Sequence, residues 1–205
     1  MYIPDAFVQT DEARTRALID AWPFGLLVTT DADGMPCASH IPFLAREIDG
    51  ALVLEGHVAR PNEQAEHVLA GAPALAVFQG AHSYVSPTWY RNPGVPTWNY
   101  EAVHVRGRLQ EVSGDGAHSI VQRLSRVFEG DGPGAWEPQY PERMLEGIVC
   151  FMITGTSLQS KSKMSQNRPE ADRRGVIEAL GRLEDRDARA VRDIMLANER
   201  DREND

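Results

Sequence analysis

Residues 24–57 contain Phe24-Gly-Leu-Leu-Val-Thr-Thr30, Asp31-Ala-Asp-Gly34, the stretch Pro36 to Leu44, Asp49-Gly50, and Ala51-Leu-Val-Leu-Glu-Gly-His57. Two short apolar runs rich in Leu, Val and Thr flank a third stretch, with Asp and Gly at both junctions. Such runs favour strands, and Asp-Gly pairs supply the positive φ that tight hairpin turns need. The segment therefore predicts three consecutive strands joined by short turns, an antiparallel meander.

Working outward, the residues before Pro23 read as a helix over Asp11–Ala21 behind Thr10, with Ala13, Ala17, Leu18 and Ala21 near one face. After the meander, Pro61 opens a short helix that Gly71 ends. Strands follow at Pro73–Gly80 and Ser83–Thr88. Between Thr97 and Val112, Val103, Val105, Gly107 and Leu109 alternate with polar residues, the pattern of a half-buried strand. A helix over Ala117–Phe128, a Gly/Pro loop through Asp131–Gly134 and a strongly apolar strand, Gly147–Ile153, complete this part. The sum is an α+β chain: a six-stranded antiparallel barrel with peripheral helices.

Composition changes after Gln166. Residues 167–205 hold nine Arg and eleven Asp or Glu, with no Lys and no aromatic residue. Pro169 with Glu170 and Asp172 marks a helix start, and Val176, Ile177, Leu180, Leu183, Val191, Ile194 and Met195 form a helical stripe. The reading is a barrel domain over 1–166 and a charged helical extension over 167–205, packed on the barrel or on a second subunit. The end, Arg200–Asp205, is expected to fray.

The whole chain has 205 residues, 21 Lys plus Arg against 30 Asp plus Glu, and a formal charge of −9. That balance provides no general basic field and argues against direct DNA binding. Cys37 and Cys150 have no metal or redox spacing, six histidines are scattered singly, and no long apolar run or signal pattern is present. The expectation is a cytoplasmic protein without metal or membrane segment. Nucleophile-elbow, zincin, Walker and dinucleotide-binding motifs are absent.

Three clusters carry potential chemistry. At His57-Val-Ala-Arg60-Pro61-Asn62 a strand gives way to a helix start beside a guanidinium, an arrangement suited to an anion, although Arg60 is equally readable as a solvated charge. Lys161-Ser-Lys-Met-Ser-Gln-Asn-Arg168 offers several phosphate or amide donors, and also reads as a polar linker. Tyr84, Trp89, Tyr90, Trp98 and Tyr100 fall within 17 residues and suit a planar ligand, an interface or core packing.

Several segments together resemble one family. They are Met1-Tyr-Ile-Pro4 with Phe7, Ser39-His-Ile-Pro-Phe43, Gly56-His-Val-Ala-Arg60 with Asn62, and Phe78-Gln-Gly80 with Ser83–Pro87. Val95-Pro-Thr-Trp-Asn-Tyr100 with Val103–Val105, and Lys163–Asp172 with Gly175–Ile177, complete the set. The chain is similar over residues 1 to about 180 to the PaiB-type FMN-binding negative transcriptional regulators. The resemblance implies a split β-barrel like that of pyridoxamine-phosphate oxidases, a homodimer, and FMN at the subunit interface. It implies a phosphate site at Arg60 and Asn62, with Lys163 and Arg168 balancing the dianion. Ser165 and Gln166 match a pair that reaches flavin in the oxidases; Ser39 and His40 would line the ring edge, and His57 belongs to the same set. The oxidases' Tyr-Thr segment and Arg-Lys pair are not reproduced, Ala59-Arg-Pro61 standing instead. Three functions remain open on these residues: a flavin-sensing or indirect regulator, a flavin-dependent oxidoreductase of a small metabolite, or a cofactor-free interaction module.

Overall fold

The turn residues fix the first hairpin. Asp31 Oδ1 accepts from the N–H groups of Asp33 at 2.9 Å and Met35 at 2.8 Å, and Gly34 takes φ +84°. The flanking strands, β1 (Phe24–Thr30) and β2 (Pro36–Pro42), pair antiparallel from Phe24↔Pro42 to Thr30↔Pro36. Asp49 and Gly50, at φ 53° and 76°, join β3 (Leu44–Ile48) to β4 (Ala51–Ala59). The computed structural model describes residues 1–130, 132, 134–136 and 142–204.

The expected meander is replaced by two separate hairpins. The strand predicted over Pro36–Leu44 ends at Pro42; the Phe43 N–H donates to Pro23 O at 2.9 Å as one last rung in the β1–β2 register. The Phe43 ring is 1% exposed and packs edge-on against Phe78 and Phe151, with centroids at 5.3 and 6.3 Å. Burying that ring turns the chain away. The strand order is β2-β1-β5-β6-β7-β4-β3, with β5 at Pro73–Val85, β6 at Thr97–Val112 and β7 at Ile148–Lys163. β1 pairs antiparallel with β5, and β4 with β7 from Leu54↔Ile153 to Ala59↔Ile148. Seven strands thus stand where six were expected, in a sheet that is not closed.

Two further expectations change. The predicted strands Pro73–Gly80 and Ser83–Thr88 merge into β5. The apolar strand at Gly147–Ile153 is only the start of β7, so Lys161–Lys163 is strand and not linker. Helix α1 (Glu12–Ala21) starts behind Asp11, whose Oδ1 accepts from Ala13 and Arg14 N–H. Its buried residues are Thr15, Leu18 and Ile19, while Ala13, Ala17 and Ala21 are exposed. α2 (Gln64–Leu69), α3 (Gly114–Glu129) and α4 (Glu142–Leu145) follow. The predicted Gly/Pro loop includes Asp131 and Pro133, which lie outside the described residues. The charged extension is two helices, α5 (Glu170–Leu180) and α6 (Arg186–Asn204). α6 is helical through Asn204, which includes the end expected to fray; Asp205 is outside the described residues.

Two units divide the chain. Met1–Thr15, Gln79–Val103 and Ser160–Asp205 form the first, and Arg16–Phe78 with His104–Gln159 the second. In the second unit Leu27, Leu54, Phe78, Phe151 and Ile153 are buried, and Ile120 and Leu124 of α3 pack with Leu44 and Cys150. In the first, Phe7, Val85 and Met164 are buried, as are Val176 and Leu180 of α5 and Ala188, Val191 and Met195 of α6.

Candidate functional site

The second unit holds the Arg60 group. At the end of β4 the Arg60 N–H donates to Gly147 O at 2.8 Å, its Nε to Glu146 O at 2.6 Å and its Nη2 to Ile148 O at 3.1 Å. The exposed guanidinium is therefore docked along the start of β7 and oriented, with donor capacity left over. Arg60, Ser113, His118, Glu146 and Cys150 help to line a cavity of about 500 Å³. Cys150 is buried at 2% exposure, which pushes its thiol up to about 11 and keeps it protonated.

The expected helix start at Pro61 lies three residues later. Asn62 Oδ1 accepts the Gln64 N–H at 2.9 Å, so the first amide of α2 is already satisfied. Asn62 Nδ2 donates to Ser39 Oγ at 2.9 Å, bringing β2 and the β4–α2 connection together. His40 stacks on Phe24 at 6.2 Å. His57 stands opposite Cys150 in the β4–β7 ladder; burial holds its imidazole below its ordinary pKa, and its buried Nδ1 has no partner among the described residues. Gln64 carries no signal in the sequence. It is fully buried and donates through Nε2 to Thr29 Oγ1 at 2.9 Å and to Leu27 O at 3.2 Å. Thr29 Oγ1 lies 2.7 Å from His67 Nδ1. No pattern marks a Gln in a short helix as a core anchor.

The first unit holds the Lys163 group. Lys163 Nζ donates to Thr97 Oγ1 at 2.7 Å and to Trp98 O, and lies 5.9 Å from the centre of the Phe7 ring. Burial first, then the positive charges of Lys161 and Arg168, hold its ammonium below the ordinary 10.5. Lys161 is 7% exposed, donates to Tyr2 O at 3.2 Å and sits 4.9 Å from the Tyr100 ring centre. Among the described residues neither lysine has an ion-pair partner. Ser165 is buried, with φ +60°, and shares two hydrogen bonds with Asn99. Gln166 folds back on its own turn: its Oε1 accepts from Met164 N–H at 2.6 Å and its Nε2 donates to Ser162 O.

Arg168 and the aromatic cluster form a latch. The Arg168 guanidinium lies 4.4 Å over the Tyr90 ring, donates to Pro93 O at 3.3 Å and is 4.0 Å from Asp172. Asp172 is fully buried; burial alone would raise its carboxyl, but the Asn92 N–H and side-chain amide, the Arg91 N–H and Arg168 together hold it below the ordinary 3.8. Gly175 lies under the Trp89 carbonyl, where a Cβ would be 2.1 Å from the oxygen. Trp98 is flanked by Tyr84 at 6.1 Å and His82 at 6.3 Å, and it is 51% exposed. Ser39, Asn62 and Arg60 thus gather in the second unit, and Lys163, Ser165, Gln166 and Arg168 in the first. Among the described residues no three or more His, Cys, Asp or Glu side chains are grouped to hold a metal ion, and no helix is long and apolar enough to cross a membrane.

The open antiparallel sheet of this order is the split-barrel fold of the solved structures on which it superposes. The FAD and heme binding protein of Mycobacterium smegmatis superposes with a TM-score of 0.63 at 20% identity, over 76% of this chain and 72% of that one. A flavocytochrome of Azotobacter vinelandii gives 0.57 at 15% identity, over 76% and 68%. The protease synthase and sporulation protein PAI 2 of Bacillus subtilis is 35% identical over 203 residues, 95% of this chain and 96% of that protein. The family described as "Putative FMN-binding domain" matches residues 1–157. The chain belongs to this PaiB-type family, and FMN is its cofactor.

Proposed function

We propose that the protein is a homodimeric, FMN-binding negative transcriptional regulator that acts by sensing flavin or through a partner, not by reading DNA itself. The observation that carries the flavin part is a pair of ammonium groups, Lys161 and Lys163, among the last residues of strand β7, with no ion-pair partner among the described residues. Two desolvated cations without a counter-charge fit a phosphate dianion, the tail of FMN. Lys163 and Arg168 would supply charge there, with the Ser165–Gln166 turn presenting them. In the other unit, Arg60, Asn62, Ser39, His40 and His57 are the proposed flavin contacts. Arg60 is preoriented by β7, and Asn62 is locked to Ser39. When bound, the flavin supplies redox chemistry; the chain's own residues bind, orient and shield it.

The regulatory part is supported by the name of the Bacillus subtilis relative, a protease synthase and sporulation protein. The net charge of −9 supports indirect action. Dimerisation is supported by the exposed apolar side chains of the first unit: Tyr84 at 43%, Val95 at 67% and Trp98 at 51%. Residues 1–166 would form the flavin-binding domain and 167–205 its helical extension.

The test is titration of flavin-free protein with FMN, followed by addition of reduced nicotinamide and by gel mobility of promoter DNA. Stoichiometric binding without sustained turnover or DNA retardation is expected. Sustained reoxidation with turnover would instead make the protein an oxidoreductase of a small metabolite. Absence of FMN binding would leave only an interaction module.

A further inference from the structure

The stretch Thr97-Trp-Asn99 of β6 holds the end of β7 and the residues just after it through side-chain hydrogen bonds. Thr97 Oγ1 and Trp98 O hold Lys163, and Asn99 holds Ser165. The last contact has an unusual job. Ser165 is one of only two non-glycine residues with positive φ among the described residues, at +60°. The other, Asp49, sits in an exposed hairpin turn where such geometry is commonplace. Ser165 is 4% exposed and carries a Cβ that disfavours the left-handed region. An outlier of this kind persists only where its surroundings over-determine it.

Asn99 supplies that determination. It is fully buried; its Nδ2 donates to Ser165 Oγ at 3.0 Å, and the Ser165 hydroxyl donates back to Asn99 Oδ1 at 3.1 Å. The same Nδ2 reaches Met195 Sδ at 3.4 Å, which ties the amide to α6. A reciprocal pair removed from water leaves an unpaired polar atom whenever either partner is lost, so the pair holds the kink firmly. The kink starts a turn that Arg168 N–H closes onto Ser165 O at 2.9 Å. Gln166 fastens the inside of that turn through Met164 and Ser162.

We propose that Asn99 is the positioning residue of the Lys163–Arg168 turn: by clasping Ser165 it enforces a left-handed kink and so sets the direction in which Lys163 and Arg168 face the flavin phosphate. The part about the flavin rests on the function proposed above; the part about the kink does not.

The experiment pairs a clasp variant with a backbone rescue. Amide hydrogen exchange at Arg168 and FMN affinity are measured in the wild type, Asn99→Ala, Ser165→Ala, Ser165→Gly and the double variant Asn99→Ala/Ser165→Gly. Asn99→Ala speeds Arg168 exchange and weakens FMN binding, each roughly tenfold. Glycine at 165 adopts positive φ without the clasp, so the double variant recovers most of both losses. A merely structural role of Asn99 in the core would not be rescued by a change at another residue's backbone. Asn99→Ala that exchanges at the wild-type rate, or a double variant as impaired as Asn99→Ala alone, overturns the inference. Should Asn99→Ala fail to fold, the serine variants decide: faster exchange in Ser165→Ala than in the wild type, with Ser165→Gly restoring the slow rate, supports the clasp, and Ser165→Ala exchanging at the wild-type rate overturns it. If the wild type takes up no FMN, the proposed function falls, while the exchange data still decide on the kink.

Discussion

Arg60 and Lys163 bring positive charge to the two residue sets in different ways, and each makes its own prediction. The Arg60 guanidinium is exposed and oriented by two carbonyls of the β7 start, so it is available to an anion without rearrangement. Replacing it by Ala is expected to weaken FMN binding by ~1.5–3 kcal/mol, the scale of a charge-assisted hydrogen bond. Titration by flavin fluorescence checks this; an unchanged dissociation constant would remove Arg60 from the site. Lys163 behaves differently because burial and its cationic neighbours already disfavour its charge. Its folded pKa lies below 10.5, so the folded, flavin-free chain releases the proton earlier than the unfolded chain does. The charge is a cost to the flavin-free fold below that folded value. The cost disappears as pH rises through it, and with it goes the charge that attracts phosphate. FMN affinity is therefore expected to fall on raising the pH from neutral towards 10.5, and the alkaline fall should be absent in Lys163→Met. An identical pH profile in that variant would contradict the assignment.

At the scale of elements, β7 and the α5–α6 pair decide where these side chains stand. β7 begins as a hydrophobic strand with Val149, Phe151 and Ile153 buried, and ends as a polar one carrying Lys161 and Lys163. The change of composition midway hides its continuity, which is why the sequence suggests a linker there. α5 and α6 lie against each other, Val176 and Leu180 of α5 and Val191 and Met195 of α6 are buried, and Arg173 pairs with Glu199 through Nε at 2.6 Å. Leu180 has no exposed surface, and Leu180→Ala is expected to destabilise by about 2–5 kcal/mol through lost burial and a cavity. Urea unfolding followed by circular dichroism measures this; a loss well under 1 kcal/mol would mean that the helix pair is not part of the cooperative fold.

The turns that carry Asp and Gly at positive φ, at Gly34 and at Asp49-Gly50, are legible residue by residue because the chemistry is local. So is the apolar stripe of α5 and α6, which repeats at helical spacing. The break at Phe43 is not legible, since it follows from three distant rings meeting in one core. Nor are the clasp of Asn99 on Ser165 or the role of Gln64, because a single buried amide carries no periodicity. The conspicuous aromatic run is readable as a cluster but not as its uses: Tyr90 lies under Arg168, the Trp89 carbonyl meets Gly175, and Tyr100 lies beneath Lys161.

At the scale of the whole molecule, a PaiB-type chain with an open seven-stranded sheet retains the flavin of its family. Among the described residues its cationic strand end, Lys161 and Lys163, has no ion-pair partner, and the proposed counter-charge is the FMN phosphate. The most direct measurement is the visible spectrum of the purified protein, with mass spectrometry of the small molecule released on denaturation. Flavin absorption and release of FMN in a near one-to-one ratio with the chain are expected. A colourless protein that stays colourless after incubation with excess FMN would contradict this.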